Sequence, residues 1–274
     1  MPSEVLNTAQ GLNTLISHII KDVIAPPMSS IQFNIQRLYA LSPGLENPES
    51  WTAWQKAQCQ WPEDAGAPVA SAIPAMMRRR MSPLSKIVVQ VAATLSADED
   101  IAYSVFSSRH GELQRTLQLL QEILAGEPAS PTAFSQSVHN TAAGLFTIAT
   151  KKPIPATSLA GGADGFHYAL LEAFIYLNQH PDKKVLVVDF DAPLPDVYAQ
   201  FEPYTTAPYA IGIVLQAGDQ IQVQRSASGS DTDITSLPQA LEFYRQWLGQ
   251  NTRFEMQSAR QHWSWQVGDF ECSD

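Results

Sequence analysis

The sequence predicts a mixed α/β layered domain, because strand-like and helix-like apolar patterns alternate along the chain. Ile31, Phe33 and Ile35 alternate with polar residues, which is typical of a half-buried strand. Residues 185–190 form a nearly continuous apolar run, the pattern of a central strand that is covered on both faces. Residues 82–95 place apolar side chains at helical spacing. We therefore expect one mixed sheet flanked by helices.

The other helices and strands are predicted from the same patterns. The helix over residues 82–95 has Ser82 as its N-cap and Pro83 at its first position. Gly126 and Pro128 are expected to end a leucine-striped helix. The predicted helices cover residues 82–95, 112–124, 138–149 and 163–177, and a short strand covers residues 101–106.

Two further predictions concern the ends of this pattern. Residues 211–215 and 221–225 are interpreted as a closing hairpin whose turn contains Gly218. Residues 42–74 are rich in proline and tryptophan and are predicted to form a long surface excursion. Only about 50 residues follow the predicted hairpin.

Composition narrows the classes of function. The chain has 274 residues, of which 45% are hydrophobic, and this is enough apolar material for a sizeable core. Its net charge of -10 is unfavourable for binding nucleic acid or an anionic membrane. Cys59 and Cys272 form no disulfide framework, which favours a reducing cytoplasm. No stretch has the apolar length of a membrane span, and the histidine and cysteine spacing predicts no metal site.

The first 27 residues are set apart from the rest. Their apolar residues lie on one face of a predicted helix that Pro26 and Pro27 end. Met28 follows at once and precedes the first strand. We expect residues 1–27 to be either a helix appended to the domain of residues 28–274 or an artefact of start-site choice, and the alternative is a genuine N-terminal helix packed on the domain.

The segment around Leu159 has the pattern of a nucleophile elbow. A loop or strand turns through small residues into the predicted helix over residues 163–177, and such a turn exposes one side chain beside a helix N-terminus. Catalysis there needs a cysteine, serine or threonine at the apex with a base in reach. The apex residue is Leu159, which is not a nucleophile, and its neighbours are Ser158 and Ala160.

Four segments in order resemble the N-terminal half of a β-ketoacyl synthase of the thiolase fold. They are residues 80–86 (Arg-Met-Ser-Pro-Leu-Ser-Lys), residues 137–144 (Ser-Val-His-Asn-Thr-Ala-Ala-Gly), the elbow at residues 157–162, and residues 189–195 (Asp-Phe-Asp-Ala-Pro-Leu-Pro). The last is similar to a shortened branch of the family, the chain-length factors of aryl polyene biosynthesis. The resemblance implies a thiolase-like layered fold without a complete C-terminal half, and it implies no cofactor.

The departures from the family pattern indicate a non-catalytic protein. In the family, a cysteine at the elbow attacks the acyl thioester, whereas the alignment places Leu159 there. The family also uses two histidines from its C-terminal half, and His262 lies in no such motif. An alternative is a self-sufficient acyl-thioester-processing enzyme with Ser158 or Cys59 as a substitute nucleophile. A hydrolase triad with Asp164 and His167 has poor predicted geometry.

The resemblance also implies a partner. The chain would form a heterodimer with an active β-ketoacyl synthase, and acyl carrier protein would dock mainly through that partner. Phe134 would face the partner's acyl chain, and helix residues would set the end of the tunnel. The predicted tunnel residues are Phe134, Thr116, Leu117 and Leu120.

Two further groups of residues have structural and functional interpretations. The predicted dimer seam and structural motif contain Ser137, His139, Asn140 and Gly144. We expect His139 to make a structural hydrogen bond. We interpret Gly161 and Gly162 as sites of close helix approach. The basic cluster at residues 78–80 could dock an acidic carrier protein, although a solvated surface is the more common role of such a cluster.

Overall fold

A computed structural model describes residues 30–63, 65–202, 204, 206–227 and 237–268 of the chain. Within these residues, seven strands form one mixed sheet in the order β3-β2-β4-β5-β7-β6, and β1 pairs with the other side of β5. The strands are β1 (Ser30–Leu41), β2 (Ile101–Ser107), β3 (Ala156–Leu159), β4 (Lys184–Asp191), β5 (Tyr209–Ala227), β6 (Arg253–Gln257) and β7 (Gln261–Val267). The predicted helix over residues 1–27 lies outside the described part of the chain, as does Cys272.

Helices cover both faces of the sheet. They are α1 (Pro48–Lys56), α2 (Ala75–Arg78), α3 (Pro83–Ser96), α4 (Leu113–Leu124), α5 (Pro131–Ser135), α6 (Thr141–Thr150), α7 (Gly165–Gln179) and α8 (Gln239–Leu248). The Ser82 hydroxyl caps α3 by accepting a hydrogen bond from the Ser85 backbone N–H at 2.9 Å. No helix in the described residues is long and apolar enough to cross a membrane.

Two apolar clusters hold these layers together. Buried side chains of α7, α8 and α1 pack on one face of the sheet. Buried side chains of α3 and α6 pack on the other face. Strand β4 lies between β2 and β5, and Val185, Leu186, Val187 and Val188 are fully buried. The predictions of a mixed sheet flanked by helices and of a doubly covered strand over residues 185–190 are confirmed.

The prediction that residues 42–74 form a surface excursion is wrong for the part that folds as α1. Trp51 and Trp54 of this helix are buried in the core, and the Trp51 indole N–H donates to the Ala40 carbonyl at 3.1 Å. Asn47 caps the helix through the Ser50 backbone N–H, and Pro48 stands in the first turn. Burial of two indoles stabilises the fold far more than an exposed loop could.

The predicted hairpin at residues 211–215 and 221–225 is also wrong, because both runs belong to the single strand β5. Strand β1 pairs with both runs, and residues 217–220 form a bulge between them. The Asn34 side chain of β1 accepts a hydrogen bond from the Gln220 backbone N–H at 2.9 Å. A Cβ atom on Gly218 would overlap this amide, so the glycine permits close approach of Asn34 rather than a chain reversal.

Residues after β5 extend the sheet, although the sequence predicted only a short tail. Strand β7 pairs with the second half of β5 from Ile221 to Ala227, and β6 pairs with β7. Trp263, Trp265 and Val267 alternate along β7 and are buried against α7 and α8. This pattern of period two was visible in the sequence.

Candidate functional site

Strand β3 turns into α7 at the carboxyl edge of the sheet, where the sequence predicted an elbow. Leu159 is the last residue of β3 and is half-buried, and its carbonyl accepts a hydrogen bond from the Ser108 backbone N–H at 3.1 Å. Ser158 is half-buried one residue earlier, and Ala160 is exposed in the turn. The side chain that the alignment places at the nucleophile position is therefore a hydrocarbon.

Glycines make this turn tight. A Cβ atom on Gly161 would lie 2.6 Å from the Gly165 Cα atom, which is closer than real Cβ contacts. Gly162 has a φ of 62°, in the left-handed region that favours glycine. The close approach predicted for the two glycines occurs at Gly161, within the chain and at the start of α7, whereas a Cβ atom on Gly162 would meet no atom within 4 Å.

A buried hydrogen-bond network fixes the start of α7 to the C-terminal strands. Asp164 Oδ1 accepts hydrogen bonds from the Gln239 amide and the Trp263 indole, both at 2.9 Å. Its Oδ2 accepts one from the Ser258 hydroxyl at 2.8 Å. Each donor lies more than 70 residues away in sequence, so these bonds join the start of α7 to three separate places in the C-terminal part of the fold.

His167 belongs to the same network and is fully buried. Its Nε2 accepts a hydrogen bond from the Trp265 indole N–H at 3.0 Å, so Nδ1 carries the proton and donates to Gln239 Oε1 at 2.7 Å. Burial lowers the pKa of His167 to about 4, which keeps the ring neutral at pH 7. Both ring nitrogens are occupied, so His167 has no free nitrogen to act as a base toward Ser158.

A small pocket beside the elbow is lined by two aspartates, the buried Asp189 and the half-buried Asp191. Burial, and next the nearby charge of Asp191, raises the pKa of Asp189 to about 7. The Tyr209 hydroxyl donates to Asp189 Oδ1 at 3.1 Å. Burial also raises the pKa of Asp191, opposed by hydrogen bonds from the backbone N–H groups of Arg109 and His110. Sequence reasoning noted this segment only as a motif, although two aspartates after a buried strand are the signal of a polar edge.

The predicted tunnel residues lie on and beside α4, and they differ in exposure. Phe134 is 64% exposed and Leu120 is 48% exposed, whereas Leu117 and Thr116 are half-buried. The Thr116 hydroxyl contacts the carbonyls of Glu112 and Ser137 at 3.1 and 3.0 Å, so it links α4 to the segment before α6. The leucine stripe predicted for this helix is Leu113, Leu117, Leu120 and Leu124, but the buried residue of α4 is Leu119, and Leu124 is 87% exposed.

The predicted seam motif surrounds the start of α6. His139 Nε2 lies 2.9 Å from the Ser108 carbonyl and so links this motif to the loop after β2. The Ser137 hydroxyl donates to the Phe134 carbonyl at 2.9 Å. Asn140, Gly144 and Ile148 are exposed along one side of α6. Ile148 on that side is 64% exposed.

The other sequence candidates lie away from the elbow. Cys59 packs partly against the core, and burial raises the pKa of its thiol, which disfavours the reactive thiolate. Arg79 and Arg80 are exposed and Arg78 is half-buried, and no ion pair among the described residues involves them. The described residues also contain no cluster of three or more histidine, cysteine or acidic side chains that could hold a metal ion.

Comparison with known proteins identifies the fold and family. The family model described as the N-terminal domain of beta-ketoacyl synthase matches residues 51–266. The chain belongs to this family. No curated protein sequence matches it.

Solved structures of ketosynthases resemble this domain in fold. A ketosynthase in complex with its chain length factor, from Xenorhabdus doucetiae, matches with 32% identity and a TM-score of 0.78, over 86% of this chain and 99% of that one. The ishigamide ketosynthase/chain length factor matches at 17% identity and a TM-score of 0.57, over 74% of this chain and 68% of that one. A beta-ketoacyl synthase from Burkholderia phymatum matches at 12% identity and a TM-score of 0.53, over 78% and 70%. The last two matches show a shared fold.

Proposed function

We propose that this ketosynthase domain is a non-catalytic chain-length-factor subunit, which pairs with an active β-ketoacyl synthase and forms part of the wall of its acyl tunnel. The observation that carries the proposal is Leu159 at the elbow of an otherwise intact strand, turn and helix. A leucine cannot attack a thioester. The match to a chain of a complex that contains a chain length factor supports the same role.

A free face of the domain supports pairing. It consists of the outer edge of β3, which pairs only with β2 in the described chain, and of exposed apolar side chains on α4, α5 and α6. These side chains are Leu120, Ile123, Leu124, Phe134 and Ile148. An unpaired strand edge beside exposed apolar residues is a surface that a protein partner commonly covers.

Assembly can be tested by co-expression with candidate β-ketoacyl synthases, followed by size exclusion and native mass spectrometry. We expect a stable one-to-one complex with the true partner. Ile148→Asp should weaken it, because a charge would be buried in the contact. Met76→Asp is the matched control, since Met76 is also exposed but lies on α2, which is not one of the elements assigned to this face. Equal loss of assembly in both variants would contradict the placement of the interface.

The tunnel role makes a separate test possible. Leu117 and Leu120 are the better candidates for its end, because the Thr116 hydroxyl is already bonded within the chain. In a reconstituted pair, Leu117→Phe should shorten the products and Leu117→Ala should lengthen them, as read by mass spectrometry. Gln118→Phe places the same bulk on a different side of α4 and should leave product length unchanged. Unchanged products in all three variants would reject the tunnel assignment.

Catalysis by this chain alone is the competing function. It predicts that the isolated protein consumes acyl thioester and that Ser158→Ala or Cys59→Ala stops the reaction. Our proposal predicts no turnover from the isolated chain, and condensation only when the partner is present.

The exposed arginines at residues 79 and 80 can add a docking contact for an acidic carrier protein. Paired charge reversals on the two proteins would test this contact.

A further inference from the structure

A second cavity, of about 400 Å³, lies between the start of α3, the start of α4 and the chain after β4. Its walls are mostly apolar side chains, among them Met81, Leu84, Leu113 and Leu194. This volume lies within the range of cavities that bind small molecules. The cavity adjoins the side of α4 that contains Gln114 and Gln118, whereas the exposed Leu120 and Leu124 lie on another side of that helix.

Two polar groups of the cavity wall have unused hydrogen-bonding capacity. Glu112 is 7% exposed, and its Oε1 accepts hydrogen bonds from the Ser82 and Ser85 hydroxyls at 2.7 and 2.5 Å. Its Oε2 makes no hydrogen bond to any described residue. His110 also lines the cavity, and its Nε2 is buried with no partner in the described part of the chain. Of the two, only His110 Nε2 is a buried atom that lacks a partner, and such an atom beside an apolar cavity is a place where a ligand gains specificity.

The charges of the wall favour a neutral ligand. Glu112 is acidic and Arg115 on the next part of α4 is basic, so neither a cation nor an anion is matched by the wall as a whole. His110 is neutral at pH 7 because burial lowers its pKa. A hydroxyl group can donate to Glu112 Oε2, and it can satisfy His110 Nε2 in either tautomer because it both donates and accepts.

We propose that this cavity binds a neutral molecule with an apolar body and a hydroxyl group, and that the hydroxyl donates a hydrogen bond to Glu112. The apolar body replaces water against Met81, Leu84 and Leu194. The cavity shares His110 and Ala192 with the small pocket beside the elbow, but it adjoins a side of α4 other than the one that carries Leu120 and Leu124 of the free face. The binding of a small molecule in this cavity and the proposed tunnel function can therefore be tested separately.

Hexanol and its isomer methoxypentane are the probes, because they have the same atoms and only the alcohol can donate a hydrogen bond. Saturation-transfer NMR titrations of the full chain should give hexanol an affinity about tenfold higher, the scale expected from one buried hydrogen bond. In Glu112→Gln, the two serine hydroxyls hold the amide oxygen, so the NH₂ group turns to the cavity and cannot accept. The preference should fall to about one.

Two further variants test the location. Ala192→Leu adds bulk to the cavity wall and should weaken both probes by a similar factor, while Gln121→Leu on the exposed part of α4 should change neither. Circular dichroism checks that each variant is folded. Equal binding of alcohol and ether to the native chain, a retained preference in Glu112→Gln, or unchanged affinities in Ala192→Leu would each overturn the proposal.

Discussion

Replacement of Asp189 by asparagine should remove a large part of the pH dependence of stability. An aspartate carboxyl group in water has an ordinary pKa of 3.8, and burial followed by the charge of Asp191 raises the pKa of Asp189 to about 7 in the folded chain. Between these values the folded protein keeps the proton and the unfolded chain loses it. The contribution of Asp189 to the free energy of unfolding is therefore fully present below about pH 4 and falls as the pH rises toward 7.

The magnitude follows from the pKa difference. At 1.36 kcal/mol per pH unit, the free energy of unfolding should fall by about 2 kcal/mol between about pH 5.5 and the folded pKa, as a result of Asp189 alone. Asparagine has nearly the same shape, and its side-chain oxygen can still accept from the Tyr209 hydroxyl. The variant should therefore gain stability relative to the native chain as the pH rises.

Urea unfolding at about pH 5.5 and about pH 8 measures this difference. The native chain should lose about 2 kcal/mol more than Asp189→Asn over that interval. Asp219→Asn is the control, since Asp219 is exposed in the bulge of β5 and its removal should leave the native pH dependence in place. An identical pH dependence in native chain and Asp189→Asn would refute the assignment of a buried, protonated carboxyl group.

Two other substitutions test contacts that hold the fold. Trp263→Phe removes the indole N–H that donates to Asp164, and should lower the free energy of unfolding by about 1–3 kcal/mol in urea unfolding, because a buried carboxyl group loses a donor. No loss would mean that the network does not depend on this donor. Gly218→Ala should cost about 1–3 kcal/mol through overlap with the Asn34 amide, and the double variant with Asn34→Ala should regain part of it. Equal stability of single and double variants would reject that cause.

The parts of the fold that sequence predicted well are those with a strong local pattern. Strand β4 is a continuous apolar run, and α3 begins with a cap and a proline. Strand β5 was divided in two because Gly218 resembles a turn residue. Its continuity depends on β1, nearly 200 residues earlier, whose Asn34 fills the bulge. Helix α1 was missed although Asn47 and Pro48 signal a helix start.

The turn from β3 to α7 was predictable from the sequence, but the side chains packed around it were not. Alignment with a family pattern placed Leu159 at the elbow, and the structure has a strand ending there. The hydrogen bonds from Trp263 to Asp164 and from Trp265 to His167 join residues that are nearly 100 positions apart in sequence. No local pattern encodes such pairs, because they arise only when β7 is added to the far half of β5.

This network also determines whether a cysteine placed at position 159 would be a reactive nucleophile. A cysteine at position 159 would supply a thiol, but a thiolate also needs a basic or positively charged neighbour. The nearest histidine on the elbow helix, His167, is neutral and bonded at both ring nitrogens. It is also stacked on Trp263, with ring centres 4.2 Å apart. The polar side chains beside the elbow, Asp164 and His167, are thus hydrogen-bonded within the domain and stabilise its fold. Leu159 at the elbow and the commitment of these groups to structure both support the proposed role, in which a partner subunit supplies the reacting thiol.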